Sequence, residues 1–212
     1  MTDVPRVERP GSDAAGPVAS PRLTLRTAGA DGTREVARAL AGRCRPGDVV
    51  LLIGDLGAGK TTFAQGFGAG LGVEEAITSP TFTLVRQYPV GGDGPLGTLL
   101  HADVWRLEHL HEIVDLGLGE LVDDGAVALV EWGDAAEPVL GTDALTVELT
   151  AVEDADGDHG AGDHGDGDHG DGDGDADGGD DVRVITVRPA GGPWLARWEA
   201  LAAALDQWVV AP

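Results

Sequence analysis

The sequence has one cysteine and one lysine among its 212 residues. Because Cys44 is the only cysteine, a disulfide framework and a zinc site built from several cysteines are both excluded. The chain also lacks any run of about 18 apolar residues, so no membrane-spanning helix is predicted. Residues 1–21 lack the apolar centre of a secretion signal. We interpret them as a disordered leader, and we expect a cytoplasmic protein without membrane association.

Basic residues are scarce throughout the sequence. There are 14 lysine and arginine residues against 37 aspartate and glutamate residues, which gives a formal net charge of -23. Since lysine and arginine make most of the phosphate contacts in nucleic-acid complexes, this composition excludes a broad basic surface for nucleic acid. If RNA is involved in the function, we expect a partner protein to hold it. The only lysine is Lys60.

Acidic residues are concentrated in residues 153–181. This segment holds 13 of the acidic residues and contains only Gly, Asp, Ala, His and one Glu. Without apolar side chains it cannot offset the entropy lost on ordering, so we predict a disordered insertion between two paired strands. Residues 22–152 and 182–212 then form a single domain. The alternative is weak divalent-metal binding by Asp and His, although the bidentate Glu of an EF-hand calcium loop is missing.

Alternation and helical periodicity of the apolar residues predict a series of strands and helices. We predict strands at residues 23–26, 49–53, 81–88, 98–104, 126–131, 144–150 and 182–188. We predict helices at residues 31–43, 60–71, 107–121 (with a break near Gly117) and 193–209. The third and fourth strands flank a glycine-rich turn and are expected to form a hairpin. The last two strands are expected to pair antiparallel, and the apolar stripe of the last helix is expected to pack in the core.

Residues 54–61 fit the pattern G-x-x-x-x-G-K-[ST] of a phosphate-binding loop, and they lie between an apolar predicted strand and a predicted helix, as this motif requires. Glycines allow backbone N–H groups to converge on phosphate oxygens, and the helix adds the positive end of its dipole. Lys60 supplies a flexible positive charge to the terminal phosphates, and Thr61 offers its hydroxyl to magnesium. The alternative is a glycine turn that caps a helix beside an exposed lysine.

The loop and its surroundings predict the binding of a nucleoside triphosphate with magnesium. They also predict an α/β protein with a P-loop NTPase-like three-layer fold. Its central sheet is expected to be mixed, with the antiparallel strands toward the C-terminal half of the chain. The motif does not distinguish ATP from GTP.

Two acidic residues at predicted strand ends are candidates for magnesium binding or catalysis beside this loop. Glu131 follows an apolar strand, where P-loop enzymes place an acid for magnesium. Asp103 lies near the end of another strand, and alternation places it on one face with His101 and Trp105. Such a polar group could orient water or complete a magnesium shell. The alternatives are a solvated Glu131 and an ion pair between Asp103 and Arg106.

Four segments, in this order, resemble the TsaE family of P-loop ATPases, which act in bacterial tRNA threonylcarbamoyladenosine synthesis. They are residues 54–63, residues 78–85 (TSPTFTLV), residues 101–106 (HADVWR) and residues 130–132 (VEW). The second and fourth segments make the resemblance specific, because the phosphate loop alone is shared by many families. The resemblance covers about residues 23–149. Family members usually have Tyr near position 105, where this chain has Trp105. The acidic insertion also departs from the compact family pattern.

The resemblance implies a magnesium-dependent ATP hydrolase that is slow alone and stimulated by two partners, TsaB and TsaD. TsaD transfers threonylcarbamoyl to the adenosine beside the anticodon in tRNAs that read codons starting with A, so tRNA is contacted only through the partner complex. By position, Lys60 is implied to contact phosphate and act in catalysis, and Asp103 and Glu131 to be needed for hydrolysis. Thr61 and Glu131 are implied to bind Mg²⁺. The implied ATP-binding residues are Asp55, Leu56, Gly57, Ala58, Gly59, Lys60, Thr61, Thr62, Thr81 and Trp132.

Two other functions stay open from the sequence alone. The first is a P-loop kinase for a small molecule, although such an enzyme needs an acceptor pocket with extra basic residues and only five arginines follow residue 45. The second is a nucleotide-gated binding module with negligible turnover. Slow hydrolysis by the isolated protein would not separate that module from an ATPase subunit.

Overall fold

The computed structural model describes residues 20–80, 82–92, 94–107, 109–152 and 181–210. The predicted leader lies outside these ranges except for its last two residues, and the predicted insertion lies outside them except for Asp181. Thr81, one of the implied ATP-binding residues, is also outside them. No helix within these ranges has the length and apolar character needed to cross a bilayer.

Strands and helices alternate along most of the described chain. The strands are β1 (Leu23–Ala28), β2 (Val49–Ile53), β3 (Val85–Pro89), β4 (Thr98–Asp103), β5 (Val127–Glu131), β6 (Leu145–Val152) and β7 (Val182–Pro189). The helices are α1 (Gly29–Ala41), α2 (Lys60–Leu71), α3 (Leu110–Asp115), α4 (Leu118–Asp123), α5 (Gly133–Leu140), α6 (Gly192–Ala196) and α7 (Trp198–Leu205). Gly117, with φ 67°, separates α3 from α4 at the predicted break.

The strands of the described chain form one mixed sheet in the order β1-β7-β6-β2-β5-β4-β3. The central strands β6, β2, β5 and β4 are parallel to one another. The strands β3, β7 and β1 join through antiparallel pairing, which confirms the predicted hairpin of β3 with β4 and the predicted pairing of β6 with β7. The central strands are apolar runs because both faces of the sheet are covered.

Apolar cores lie on both faces of the sheet and give the three layers that the sequence predicts. Alternate residues of β2 belong to opposite cores, Val50 and Leu52 to one and Val49 and Leu51 to the other, because successive strand side chains point to opposite faces. Residues of α1, α2, α6 and α7 complete the first core, and residues of α3, α4 and α5 complete the second.

Helix α2 packs closely on α1 through glycine. A Cβ atom on Gly66 would lie 2.3 Å from the carbonyl oxygen of Arg34, and a Cβ atom on Gly70 would lie 2.8 Å from that of Arg38. Only glycine permits such close contact between the helix backbones. This packing fixes the direction of α2 and therefore the place of Lys60, its first residue.

The prediction of one continuous helix over residues 193–209 is wrong. Arg197 lies between α6 and α7 with φ −111° and ψ 6°, outside the helical range. Its guanidinium bonds both carboxylate oxygens of Asp48, at 2.6 and 2.9 Å. This ion pair with a distant residue accompanies a break that helical periodicity cannot reveal. The predicted core packing of the stripe is nevertheless confirmed, since Trp194, Leu201 and Leu205 are buried in the first core.

Two further differences concern short elements. The predicted strand over residues 81–88 begins only at Val85, because Leu84 has a left-handed φ of 63° and its N–H donates to the Pro80 carbonyl at 2.7 Å. Helix α5 was not predicted from the sequence. That helix has only eight residues and contains Pro138, so its sequence carries little helical signal.

Candidate functional site

The carboxyl ends of β2, β4 and β5 meet at one edge of the sheet. Leu52 of β2 and Asp103 of β4 both lie opposite Glu131 of β5 in the parallel register. The predicted phosphate loop leaves β2 at this edge and leads into α2. Adjacent parallel strands therefore bring both predicted acids to the loop, in the crevice where open α/β sheets bind ligands.

The loop between β2 and α2 uses backbone conformations that favour glycine. Gly54, Gly57 and Gly59 have φ angles of 147°, 80° and 103°, which a residue with a side chain rarely adopts. A Cβ atom on Gly54 would also lie 2.4 Å from the carbonyl oxygen of Leu149 on β6. The loop glycines are thus required by backbone angle and, at Gly54, by contact with the neighbouring strand.

The backbone amides of the loop differ in their partners. The N–H of Ala58 donates to the Asp55 carbonyl at 3.1 Å. Within the described part of the chain, no backbone carbonyl accepts from the N–H groups of Gly57, Gly59 or Lys60. Successive amides of this kind form the concavity that binds phosphate oxygens, and protein carbonyls do not compete for them here.

Lys60 lies against the loop with 5% of its surface exposed. Its Nζ donates to the carbonyl oxygens of Gly54 and Asp55 at 2.7 and 2.8 Å, and it stands 3.6 Å from the ring centroid of Trp132. Burial lowers the pKa of Lys60, and the charge of nearby carboxylates, Glu131 foremost, opposes that shift. The ammonium group is therefore held by backbone carbonyls and an aromatic face, not by a direct bond to a carboxylate.

Glu131 is buried, with 3% of its surface exposed. The Thr61 hydroxyl lies 3.2 Å from each of its carboxylate oxygens, and His101 Nε2 lies 2.9 Å from Oε1. Since a carboxylate only accepts hydrogen bonds, both neighbours donate. Among the described residues, no lysine or arginine forms a salt bridge with Glu131. Its direct partners are a hydroxyl and an imidazole N–H.

Asp103 is buried beside Glu131 with partners of its own. The Ser79 hydroxyl donates to Oδ2 at 2.9 Å, and the backbone N–H of Trp105 donates to Oδ1 at 3.1 Å. In the described ranges, the salt bridges do not include the alternative ion pair with Arg106. The guanidinium of Arg106 instead lies 5.3 Å from the ring centroid of Phe82.

A cleft of about 450 Å³ lies over these groups. It is lined by Leu56, Gly57, Gly59, Lys60, Thr61, Thr62, Ser79, Asp103, Trp105, Arg106, Glu131 and Trp132. Of the implied ATP-binding residues that the structure describes, two do not line it. Asp55 lines a separate pocket of about 220 Å³, and the side chain of Ala58 is buried. The other described residues that were predicted to bind ATP or magnesium, or to act in catalysis, all line this cleft.

Comparison with known proteins identifies the family. The family model described as "Threonylcarbamoyl adenosine biosynthesis protein TsaE" matches residues 27–159. The chain belongs to the TsaE family. The family description names threonylcarbamoyladenosine biosynthesis, and relatives are named as proteins of tRNA threonylcarbamoyladenosine biosynthesis.

Individual TsaE relatives support the same assignment. TsaE of Bacillus subtilis is 42% identical over 133 residues, which are 63% of this chain and 80% of that protein. TsaE of Streptomyces coelicolor is 47% identical over 117 residues, which are 55% of this chain and 77% of that protein. The crystal structure of Bacillus subtilis YdiB superposes with a TM-score of 0.61 at 32% identity, covering 89% of this chain and 96% of that chain. The P-loop-like α/β fold is thereby confirmed.

The TsaE-family site contains side-chain contacts that were not predicted from the sequence. Ser79 lies in the TSPTFTLV segment and bonds Asp103, but nothing in that segment showed which acid it would reach. His101 was predicted to share a face of β4 with Asp103, and its partner on that face is Glu131 of the neighbouring strand. The rings of Trp105 and Trp132 pack together with centroids 4.1 Å apart. Only the tertiary structure reveals these pairings.

Proposed function

We propose that this TsaE-family chain is a magnesium-dependent ATPase that supports threonylcarbamoylation of the adenosine beside the anticodon in tRNAs reading codons that start with A. It would act in the cytoplasm on a complex of TsaB-type and TsaD-type proteins. The observation that carries the proposal is the meeting of Lys60, Thr61 and Glu131 at a curled glycine loop. That constellation matches the parts that P-loop NTPases use to hold phosphates and magnesium.

In this proposal Lys60 acts by exchanging partners. Its Nζ donates to two backbone carbonyls, those of Gly54 and Asp55, and the terminal phosphates of ATP would replace these carbonyls as acceptors. The amides of Gly57, Gly59 and Lys60 would hold the phosphate oxygens. Charge that develops on the transferred phosphoryl group would then be stabilised by donors already in place, which is the main catalytic effect in such enzymes.

The residues present fit a magnesium ion. Mg²⁺ binds oxygen ligands and is held by one or two protein groups together with substrate phosphates and water. The Thr61 hydroxyl and the Glu131 carboxylate lie 3.2 Å apart at the loop, and the described residues contain no cluster of three or more His, Cys, Asp or Glu side chains that would form an all-protein site. Mg²⁺ would neutralise charge on the phosphate oxygens.

Asp103 is suited to orient the attacking water. Its carboxylate is fixed at both oxygens, by the Ser79 hydroxyl and the Trp105 amide, and it lines the same cleft as Lys60 and Glu131. A carboxylate held in this way can accept a hydrogen bond from a water molecule and aim its lone pair. The role agrees with the one that the family resemblance implies for this position.

The acidic composition of the chain agrees with a function in which partner proteins hold the tRNA. A protein with 14 basic against 37 acidic residues and a net charge of -23 is not expected to offer a broad basic surface to an RNA backbone. The TsaB-type and TsaD-type partners would therefore hold the tRNA, and the ATPase would contact the protein complex only.

The proposal is tested by ATP turnover of the protein alone and with TsaB, TsaD and substrate tRNA. We expect slow hydrolysis alone and strong stimulation by the complete mixture. Phosphate transfer to a metabolite without stimulation would favour a small-molecule kinase. Tight nucleotide binding without turnover in any mixture would favour a nucleotide-gated binding module.

The Glu131→Gln variant tests the magnesium role. Glutamine keeps the shape and the acceptor oxygen but removes the charge, so the Mg²⁺ concentration for half-maximal turnover should rise. We expect this concentration to rise by at least about 10–100-fold, which is the loss of metal affinity typical when an outer-shell partner is removed. Magnesium titrations of turnover and of nucleotide binding measure the effect. Glu120→Gln, on the exposed surface of α4, is the matched control, and equal titrations of Glu131→Gln and the parent protein would refute the role.

A further inference from the structure

We infer that His101 is a positioning residue that holds the Glu131 carboxylate for Mg²⁺. The inference rests on the proposed function, because it concerns the carboxylate to which that function assigns the ion. It adds a residue of β4 that contacts neither nucleotide nor metal, and that acts through the acid on the neighbouring strand.

The contact between the two side chains is direct and shielded from water. His101 has no exposed surface and Glu131 has 3%, and Nε2 of the imidazole lies 2.9 Å from Oε1. Their strands are adjacent and parallel, with His101 opposite Leu129, two residues before Glu131. Because the carboxylate only accepts, Nε2 carries the hydrogen. In a dry environment such a bond is stronger than at the surface.

The geometry excludes a direct role for the imidazole in metal binding or catalysis. Nε2 is engaged by the carboxylate. Nδ1 is buried and has no hydrogen-bond partner within the described part of the chain, so it is not exposed to the cleft. His101 is also absent from the residues that line the cleft. The side chain can influence the site only through Glu131.

The two oxygens of Glu131 are held unequally. Among the described residues, the His101 imidazole donates to Oε1 and not to Oε2, while the single hydrogen of the Thr61 hydroxyl is shared between the two oxygens, each at 3.2 Å. The imidazole therefore fixes the rotation of the carboxylate about its last bond and leaves Oε2 as the less occupied oxygen beside the loop. Fixing that rotation before the ion arrives removes an ordering cost from metal binding, which is the usual contribution of partners behind a metal ligand.

Three substitutions separate this role from simple core packing. His101→Leu removes the donor at similar volume, and His101→Asn keeps an amide that is too short to reach Oε1. His101→Gln places its amide nitrogen near the position of Nε2. We expect Leu and Asn to raise the Mg²⁺ concentration for half-maximal binding of a fluorescent ADP analogue by about 10–100-fold. We expect Gln to stay near the parent value and all three to bind the analogue normally in EDTA.

The control is Tyr88→Phe on the adjacent strand β3. The Tyr88 hydroxyl is buried without a hydrogen-bond partner among the described residues, so its removal perturbs the sheet nearby without touching Glu131. If His101→Leu loses its cooperative melting transition, the comparison of Asn with Gln decides. Equal Mg²⁺ titrations for Asn, Gln and the parent would overturn the role of His101 alone. A parent protein whose nucleotide binding ignores Mg²⁺ would overturn the magnesium proposal and this inference with it.

Discussion

Replacing Lys60 with alanine is expected to lower kcat/KM for ATP by about 10²–10³-fold, the loss typical when one preorganised donor to developing charge is removed. Lys60 is the only lysine of the chain, and its ammonium group already lies at the loop, bonded to Gly54 and Asp55. Among the described residues, no other side chain donates a hydrogen bond to these two carbonyl oxygens. Steady-state ATP hydrolysis and nucleotide binding measure the effect.

Two variants sharpen the test of Lys60. Lys60→Arg keeps the positive charge but replaces a compact ammonium with a wide planar fork, and we expect it to be strongly impaired as well. Arg34→Ala removes a cation on α1 that pairs with Asp31 at the surface, and we expect parental turnover from it. A folded Lys60→Ala protein with parental ATP affinity and turnover would show that the loop does not bind phosphate.

Replacing Arg197 with alanine is expected to lower the free energy of unfolding by about 3–5 kcal/mol, as removal of one partner from a buried ion pair does. The side chains of Arg197 and Asp48 are 10% and 6% exposed. Arg197 also donates to the Arg43 carbonyl at 3.0 Å and lies 4.1 Å from the Trp194 ring centroid. Alanine would leave the Asp48 charge buried, with the Arg45 amide as its one hydrogen-bond donor among the described residues. Chemical denaturation measures the loss.

The paired substitution Asp48→Leu with Arg197→Met distinguishes an unpaired buried charge from lost packing. Apolar replacements of a buried ion pair are often close to neutral, so the double variant should be more stable than Arg197→Ala. If the double variant loses as much free energy of unfolding as Asp48→Leu and Arg197→Met lose together when made singly, packing around Trp194 explains the effect and the ion pair does not. ATP turnover should survive in both variants under conditions that keep them folded, since this ion pair lies outside the cleft.

The sequence predicted the parts of the fold that depend on local pattern. The phosphate loop is recognisable because glycine spacing, a lysine and a threonine are all dictated by phosphate chemistry at adjacent positions. The central strands β2 and β5 are recognisable because burial on both faces produces continuous apolar runs. For the same reason Glu131 stands out, as a charged residue at the end of such a run.

The rest depended on contacts between residues distant in sequence. The break at Arg197 accompanies its ion pair with Asp48, and no periodicity in residues 193–209 reveals it. Alternation placed His101 and Asp103 on one face, but it did not indicate that His101 bonds Glu131 and that Asp103 bonds Ser79. Choosing among such acceptors requires the side-chain geometry of three strands and a loop, which propensity and spacing do not contain.

The place of β7 between β6 and β1 bears on the order in which the protein can assemble. Leu23 of β1 pairs with Val187, and Ala28 pairs with Val182, so β1 needs a partner strand that is synthesised after β2, β3, β4, β5 and β6. Folding during translation can unite β2, β4 and β5 early, but β1 cannot pair until β7 has been synthesised. A chain that stops before β7 would expose both β1 and the edge of β6 as unpaired strands, which are sites for aggregation.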